Sequence, residues 1–274
     1  MPDPHKTQSI EIMETVRKII VYDNNCPMCQ AYTKGFVKWG VLPAQNRIAF
    51  CELNPQQAGR YLDVQRSRHE IPLIDLAGGE TLYGVDAMTY LIGRKIPFIG
   101  VMMRNAAVHT FFKNLYSFIS YNRRVITATA PATSGLDCTP DFHLKHRLAF
   151  IAFTVVVSSL VLWRFGISAG YYFPQASQML PFAGGLPGLA LLLAVAFAGN
   201  RTVFGNRNSI ERAGQLAVVM LIGALLLLPG IFLDTLANHQ NPLWLAASAL
   251  VSLAVMGSEC VRRRRYLQVK ARIL

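Results

Sequence analysis

The sequence predicts an α/β domain followed by an all-α membrane region of four helices, in one chain of 274 residues. Three observations carry that expectation. Charged residues make up only 15% of the chain, against the ~25% usual for soluble domains. The deficit is confined to one half: up to about Ser134 charged and apolar residues are mixed, and beyond about His146 long apolar blocks alternate with short polar loops. The first half strings together short β-branched runs and helix-period segments, with Cys26-Pro27-Met28-Cys29 at the first strand-to-helix junction.

In order, "IIVYD" (19–23) is β-branched and short enough for a buried strand. After the cysteine pair, "QAYTKGFVKWGVL" places Tyr32, Phe36 and Trp39 at helical spacing toward a core. "RIAFCEL" (47–53) reads as a second strand, with Cys51 as core filler. "NPQQAGRYLDVQRS" opens a helix with Asn54 as N-cap and Pro55 at the first helical position. "IPLIDLAGGETLYG" gives two strands joined at Ala77-Gly78-Gly79, and "VDAMTYLIGRK" a helix with Asp86 near its start. Two strands joined through a helix are parallel with a right-handed crossover. The order strand, CxxC helix, strand, helix, hairpin, helix is that of a thioredoxin-like core. In that core a cis-proline facing the dithiol precedes the third strand, so Ile71 and Pro72 are the expected substrate-binding pair, despite the general preference of X-Pro bonds for trans.

Residues 96–126 are apolar but carry Arg104, His109 and Lys113, so they read as one or two helices packing on the domain and against a membrane surface, not as a span. "TATAPATSGLDCTPD" has linker composition. The expected organisation is a domain at 1–126, a linker at 127–145, spans at about 146–168, 177–199, 215–236 and 242–261 within a region 146–262, and a basic tail at 263–274. Each block approaches the ~20 apolar residues a bilayer crossing takes. The second is interrupted by Gly184, Gly185, Pro187 and Gly188, where Gly184 and Gly188 form a small-xxx-small pair suited to close helix packing.

Basic residues set the expected orientation. Arg123, Arg124, Lys145 and Arg147 precede the first span, Arg201, Arg207 and Arg212 lie between the second and third, and "RRRRYLQVKARIL" follows the fourth; the two intervening loops have no Lys or Arg. This alternation puts both termini in the cytoplasm and the chain in the inner membrane as a multi-pass protein. Arg164, near the outer end of the first span, is expected to snorkel beside Trp163. The net charge of +12 is largely topological. Arg262, Arg263, Arg264 and Arg265, directly after a span, suit anionic headgroups and not nucleic acid. The start "MPDPHKTQSIEIMET" lacks the apolar segment of a cleavable signal peptide.

By itself the Cys-x-x-Cys is compatible with a redox dithiol, half a metal site or coincidence. A zinc site takes about four ligands, and no second pair or spaced histidines complete one, so neither metal nor other cofactor is expected. At a helix N-terminus, backbone N–H groups and the helix dipole favour a thiolate. Cys26, before Pro27, is then the more exposed, attacking sulfur, and Cys29, one turn on, the buried resolving one. Asp23 either relays a proton to Cys29 or caps the turn by accepting backbone N–H groups. His69 is the one histidine worth locating relative to the dithiol. Cys138 and Cys260 carry no expected role.

"IIVYDNNCPMCQ", with Asp23 three residues before Cys26, resembles the DCC family of thiol–disulfide oxidoreductases. The likeness runs through "LIDLAGGETLYGVDAMTYLI" to "LYSFISYNRRV", which is similar to that family's closing Tyr and Asn-Arg segment, and so covers about residues 17–126. It implies a thioredoxin-like fold and functional roles for Asp23, Cys26 and Cys29. Asn24 stands where the family commonly has Gly; Asn tolerates a left-handed backbone, so it and Pro27 are the expected turn residues. The four spans fall outside the likeness. The function expected is therefore a membrane-anchored thiol–disulfide oxidoreductase acting on thiol or disulfide substrates, in the reducing direction because the cytoplasm is reducing. The alternative is a non-catalytic redox-sensing or metal-binding module on a membrane scaffold.

Overall fold

The computed structural model describes residues 18–53, 61–129, 139–173 and 186–273, with side chains over 207–265 in the last stretch. The chain divides into two units, Met1–Phe142 and His143–Leu274.

The first unit is built on a four-stranded sheet in the order β2-β1-β3-β4: β1 (Lys18–Tyr22), β2 (Arg47–Ala49), β3 (Pro72–Asp75) and β4 (Leu82–Tyr83). β1 and β2 are parallel, with Val21 opposite Ile48, and helix α1 (Pro27–Lys38) connects them. β3 runs antiparallel to β1 and β4 antiparallel to β3. This is the expected thioredoxin-like connectivity. The turn joining β3 and β4 includes Gly78 at φ +87°, a left-handed backbone that glycine adopts without strain. Helix α2 (Val64–Ser67) starts at Asp63, whose carboxylate accepts the Arg66 N–H at 3.0 Å. The expected cap at Asn54 and Pro55 lies outside the described residues. Helices α3 (Gly84–Gly93), α4 (Pro97–Met102) and α5 (Ala106–Thr127) follow.

The main core joins Ile20 and Leu73 of the sheet to Phe36 and Leu91. Burial of side chains like these contributes roughly 1.5–3 kcal/mol each. Three expectations need correction. Trp39 is 58% exposed, because α1 ends at Lys38 and the chain turns through Gly40 at φ +68°, which puts Val41 and Leu42 into the core in its place. The second strand stops at Ala49: Phe50–Glu52 form a 3₁₀ turn in which the Glu52 carboxylate accepts the Ala49 N–H, so Cys51 sits half-buried in a turn. Among the described residues no peptide bond is cis, so Ile71–Pro72 is trans. The chain is already extended there, with Pro72 opposite Tyr83 and the Ile71 carbonyl accepting the Gly84 N–H at 2.9 Å, and trans is the default for X-Pro bonds.

The second unit is all helix: α6 (Leu144–Gly170), α7 (Leu186–Leu236) and α8 (Leu243–Ile273). Leu144–Gly170, Arg207–Leu236 and Leu243–Arg265 are long and apolar enough to cross a bilayer, which is the signature of a membrane protein. Two boundaries differ from expectation. α7 is helical through Arg201–Arg212, where a loop was expected, and α8 runs on through Arg262–Arg265, where Glu259 pairs with Arg262 and Arg263 one turn later. The second expected span, 177–199, lies partly outside the described residues.

α6 and the C-terminal part of α7 are parallel. Val155 packs with Ala217, Val161 and Ala169 lie in one cluster with Ala224 and Ile231, and the Tyr172 hydroxyl donates to Asp234 at 2.5 Å. α8 is antiparallel to α7, with Ser252 donating to the Gly223 carbonyl at 2.9 Å and Arg263 donating to Gln215. α6 therefore begins and α8 ends at the same end of the bundle. Among the described residues, close helix approach is made by Gly223 and Gly230 against Ser252 and Ser248; of the expected Gly184–Gly188 pair, Gly184 lies outside the described residues. Arg164 also differs: its guanidinium donates to Ser168 at 2.9 Å and to Thr235 at 3.0 Å, which ties α6 to α7. A Cβ on Gly230 would stand 2.6 Å from the Trp244 carbonyl oxygen. Gly230→Ala is expected to push α8 away and destabilise the bundle by about 1–3 kcal/mol, read as a lower unfolding midpoint of the detergent-solubilised chain.

Candidate active site

The site starts where β1 ends. The turn Asp23–Cys26 is closed by the Cys26 N–H donating to the Asp23 carbonyl at 3.2 Å, and the Asp23 carboxylate accepts the Asn25 N–H at 3.0 Å. The Asn24 carbonyl accepts from the Gln30 side chain at 2.5 Å. Asn24 has no left-handed backbone, so a residue with a Cβ fits where glycine is common. Pro27 opens α1, where its fixed φ suits the helix and no N–H is wanted. Cys26 is the N-cap, and its sulfur accepts the Cys29 N–H at 3.5 Å. Thr33 fixes the next turn, donating to the Cys29 carbonyl at 2.6 Å and accepting from Arg47 at 2.8 Å.

The expected difference in exposure is absent: Cys26 is 0% exposed and Cys29 6%. Capping folds the Cys26 sulfur back over the first turn. What separates the two cysteines is acidity. The Cys26 thiol is pushed down from an ordinary 9.0 to about 6, chiefly by the hydrogen bond from the Cys29 thiol and also by the Cys29 N–H and the Arg123 charge, against burial and the Asp23 charge. Cys29 moves well above the ordinary range, because its thiol serves as donor to Cys26 and because it is buried. The Tyr32 hydroxyl bonds the Cys29 sulfur, and burial holds that phenol far above its usual range.

Across from the turn stands the last part of α5. Asp23, itself buried, binds Arg124 at 2.9 Å through Oδ2, and Arg123 lies 3.5 Å from the same oxygen. Arg123 is held by donation to Ser120 at 3.2 Å and to the Arg68 carbonyl at 3.0 Å. Two turns before Arg123 on the same helix face, the Tyr116 hydroxyl accepts the Ile71 N–H at 3.0 Å. Asp23 thus combines the expected turn cap with an ion pair that was not expected. The charge pattern assigns Arg123 and Arg124 to topology, ahead of the first span. They are buried parts of this site, and their signal was the Asn-Arg segment "YNRRV" in an apolar helix without acidic residues. Tyr32, read as core, is also a neighbour of the dithiol. His69 is engaged elsewhere, stacked on Tyr121 and 3.1 Å from Asp141. Cys260 is exposed on α8, and Cys138 lies outside the described residues.

Residues 20–129 match the family of DCC1-like thiol-disulfide oxidoreductases. The chain carries a DCC1-like thiol-disulfide oxidoreductase domain. No curated protein and no solved structure is significantly similar to the chain. The DCC1-like domain takes in the whole site, from β1 to the last turn of α5, and leaves the membrane unit outside the match.

A thiolate at Cys26 gives an absorbance step near 240 nm that titrates with the sulfur and needs no reagent to reach it. Because the folded value is depressed, the absorbance is expected to rise as pH increases through about 6, where an ordinary thiol would respond near 9.0. Cys26→Ser removes the step, and Arg123→Gln moves it to higher pH by taking away a positive charge that favours the thiolate.

Proposed function

We propose that the protein is a membrane-anchored thiol–disulfide oxidoreductase that reduces disulfides at the cytoplasmic face of the inner membrane. Cys26 attacks, Cys29 resolves, and Asp23 positions the turn. The observation that carries this reading is the split in acidity between the two sulfurs at the start of α1. At neutral pH Cys26 is largely thiolate and Cys29 remains a thiol.

The chemistry follows from that split. The Cys26 thiolate attacks one sulfur of a substrate disulfide; the other sulfur leaves as a thiolate and takes a proton. Cys29 loses its proton and attacks Cys26 in the mixed disulfide, which releases the second substrate thiol and leaves a Cys26–Cys29 disulfide. Two electrons pass from dithiol to substrate, and a cytoplasmic thiol reductant restores the dithiol. Formation of the mixed disulfide removes the thiolate that the Cys29 N–H, the Cys29 thiol and Arg123 had stabilised. Cys26 is covered in the reduced state, so attack requires the cover over the turn to withdraw. Ile71 and Pro72 are the proposed substrate-binding strand end; a substrate backbone pairing there would take over the Ile71 N–H now held by Tyr116.

Sidedness is supported by the bundle. Arg147, Arg212 and Arg263 belong to the end where α6 begins and α8 finishes, while Asp234 and His239 mark the opposite end. Basic residues favour the cytoplasmic side. The proposed arrangement has four crossings, with both ends of the membrane unit in the cytoplasm and Arg262–Arg265 at anionic headgroups. One observation favours a second reading: a fully covered Cys26 suits a redox sensor that oxidises without turning over substrate.

Disulfide-reductase turnover and the dithiol reduction potential of the solubilised full chain separate the two. Turnover that falls to background in Cys26→Ala and in Cys29→Ala, with a reversible two-electron couple in the unsubstituted chain, is the expected result. A reversible couple with no turnover selects the sensor. Turnover unchanged in both variants removes the dithiol from the reaction.

A further inference from the structure

α5 has two faces. Tyr116, Ser120, Arg123 and Arg124 point to the sheet and the dithiol turn. Phe112, Leu115 and Ile119 stand on the other side, exposed by 37–41%. With α3 and α4 they enclose an apolar groove of about 270 Å³, floored by Met88, Ile92, Ile99 and Tyr116. Beside it Phe98 is 71% exposed, Val101 60% and Phe111 61%, and α4 buries none of its residues. Aromatic surface on this scale, gathered on two neighbouring helices, is unusual for a face left in water.

The charge around it is mainly positive. From Ala87 to Thr127 the sequence contains no Asp or Glu, while Lys95, Arg104 and Lys113 are exposed there, and the exposed Asp86 at the start of α3 pairs with His109 of α5 at 2.8 Å. The partner that fits is at once apolar and negatively charged. Only residues 128–143 separate α5 from the first membrane helix, a reach of about 55 Å at full stretch, so the domain is held close to a bilayer. We propose that the α4–α5 face docks on the anionic lipid interface, with Phe98, Val101 and Phe111 entering the headgroup–acyl boundary and Lys95, Arg104 and Lys113 meeting lipid phosphates. The same helix then presents its inner face to the Asp23 turn, so the dithiol is held at a fixed height and orientation over the membrane. This inference does not depend on the redox reading.

The test uses the full chain in lipid nanodiscs. Phe98→Trp and, separately, Phe111→Trp add a reporter at exposed positions outside the core; emission of the unsubstituted chain, which has Trp39, Trp163 and Trp244, is subtracted. In discs with anionic lipid, both reporters are expected to emit blue-shifted light and to be quenched by lipids brominated on the acyl chain. Both effects are expected to be lost in discs of purely zwitterionic lipid at moderate salt, and when Lys95→Glu, Arg104→Glu and Lys113→Glu are combined. Water-like, unquenched emission in anionic discs overturns the proposal. So does a blue shift without bromolipid quenching, which would place a protein, such as a second copy, on this face. None of these readouts involves turnover, so failure of the redox reading leaves the outcome unaffected.

Discussion

The first unit depends on the ion pair between Asp23 and Arg124. Asp23 belongs to the turn after β1, and Arg124 lies 101 residues later, in the last turn of α5. Both are buried, so neither charge can be left alone without large cost; losing one partner of such a pair typically destabilises by about 3–5 kcal/mol. The pair closes the domain by joining its first strand to its last helix. It also fixes the turn that presents Cys26, because Oδ1 of the same carboxylate caps Asn25 while Oδ2 binds the guanidinium. Arg123, held by Ser120 and the Arg68 carbonyl, adds the positive charge that favours a thiolate. A carboxylate close to a reactive thiolate would be unfavourable alone; two guanidinium groups beside it make the arrangement tenable.

The membrane unit is organised by a different force. Apolar helices gain little from burial against one another in lipid, so close contact and polar bonds hold them. Gly223 and Gly230 let α8 approach α7, and Ser252 bonds the Gly223 carbonyl. At the far end Asp234 is fully buried but accepts from Tyr172 and pairs with His239 at 2.7 Å, while Arg164 bridges to Thr235. Asp234, His239 and Arg164 are thereby each tied to a neighbouring helix or loop.

Local signals carried much of the fold. A β-branched run marked β1, the Gly-Gly pair marked the hairpin of β3 and β4, and Cys-Pro marked the start of α1, because each reflects a conformational preference of nearby residues. Failures arose where distant contacts decided. Trp39 has the right period for the core, but α1 ends one residue earlier. Residues 47–53, "RIAFCEL", read as one strand, yet a 3₁₀ turn at Phe50–Glu52, anchored by Glu52, ends it at Ala49. The site was half legible. Asp23, Cys26 and Cys29 are close in sequence and can be read together; Arg123 and Arg124 reach them only through the tertiary fold, and next to a membrane span their charge reads as topology. Cys26 was expected to be open, and no sequence rule reveals that capping its own helix covers the sulfur.

The account stands on Cys26 being the attacking sulfur and Cys29 the one that resolves. Trapping tests this directly: full-length Cys29→Ala, exposed to a disulfide substrate, quenched with acid and digested under non-reducing conditions. The account predicts a stable mixed disulfide on the peptide that contains Cys26, absent when Cys26→Ala is added. Adducts confined to Cys51 or Cys260, or undiminished by Cys26→Ala, would contradict it.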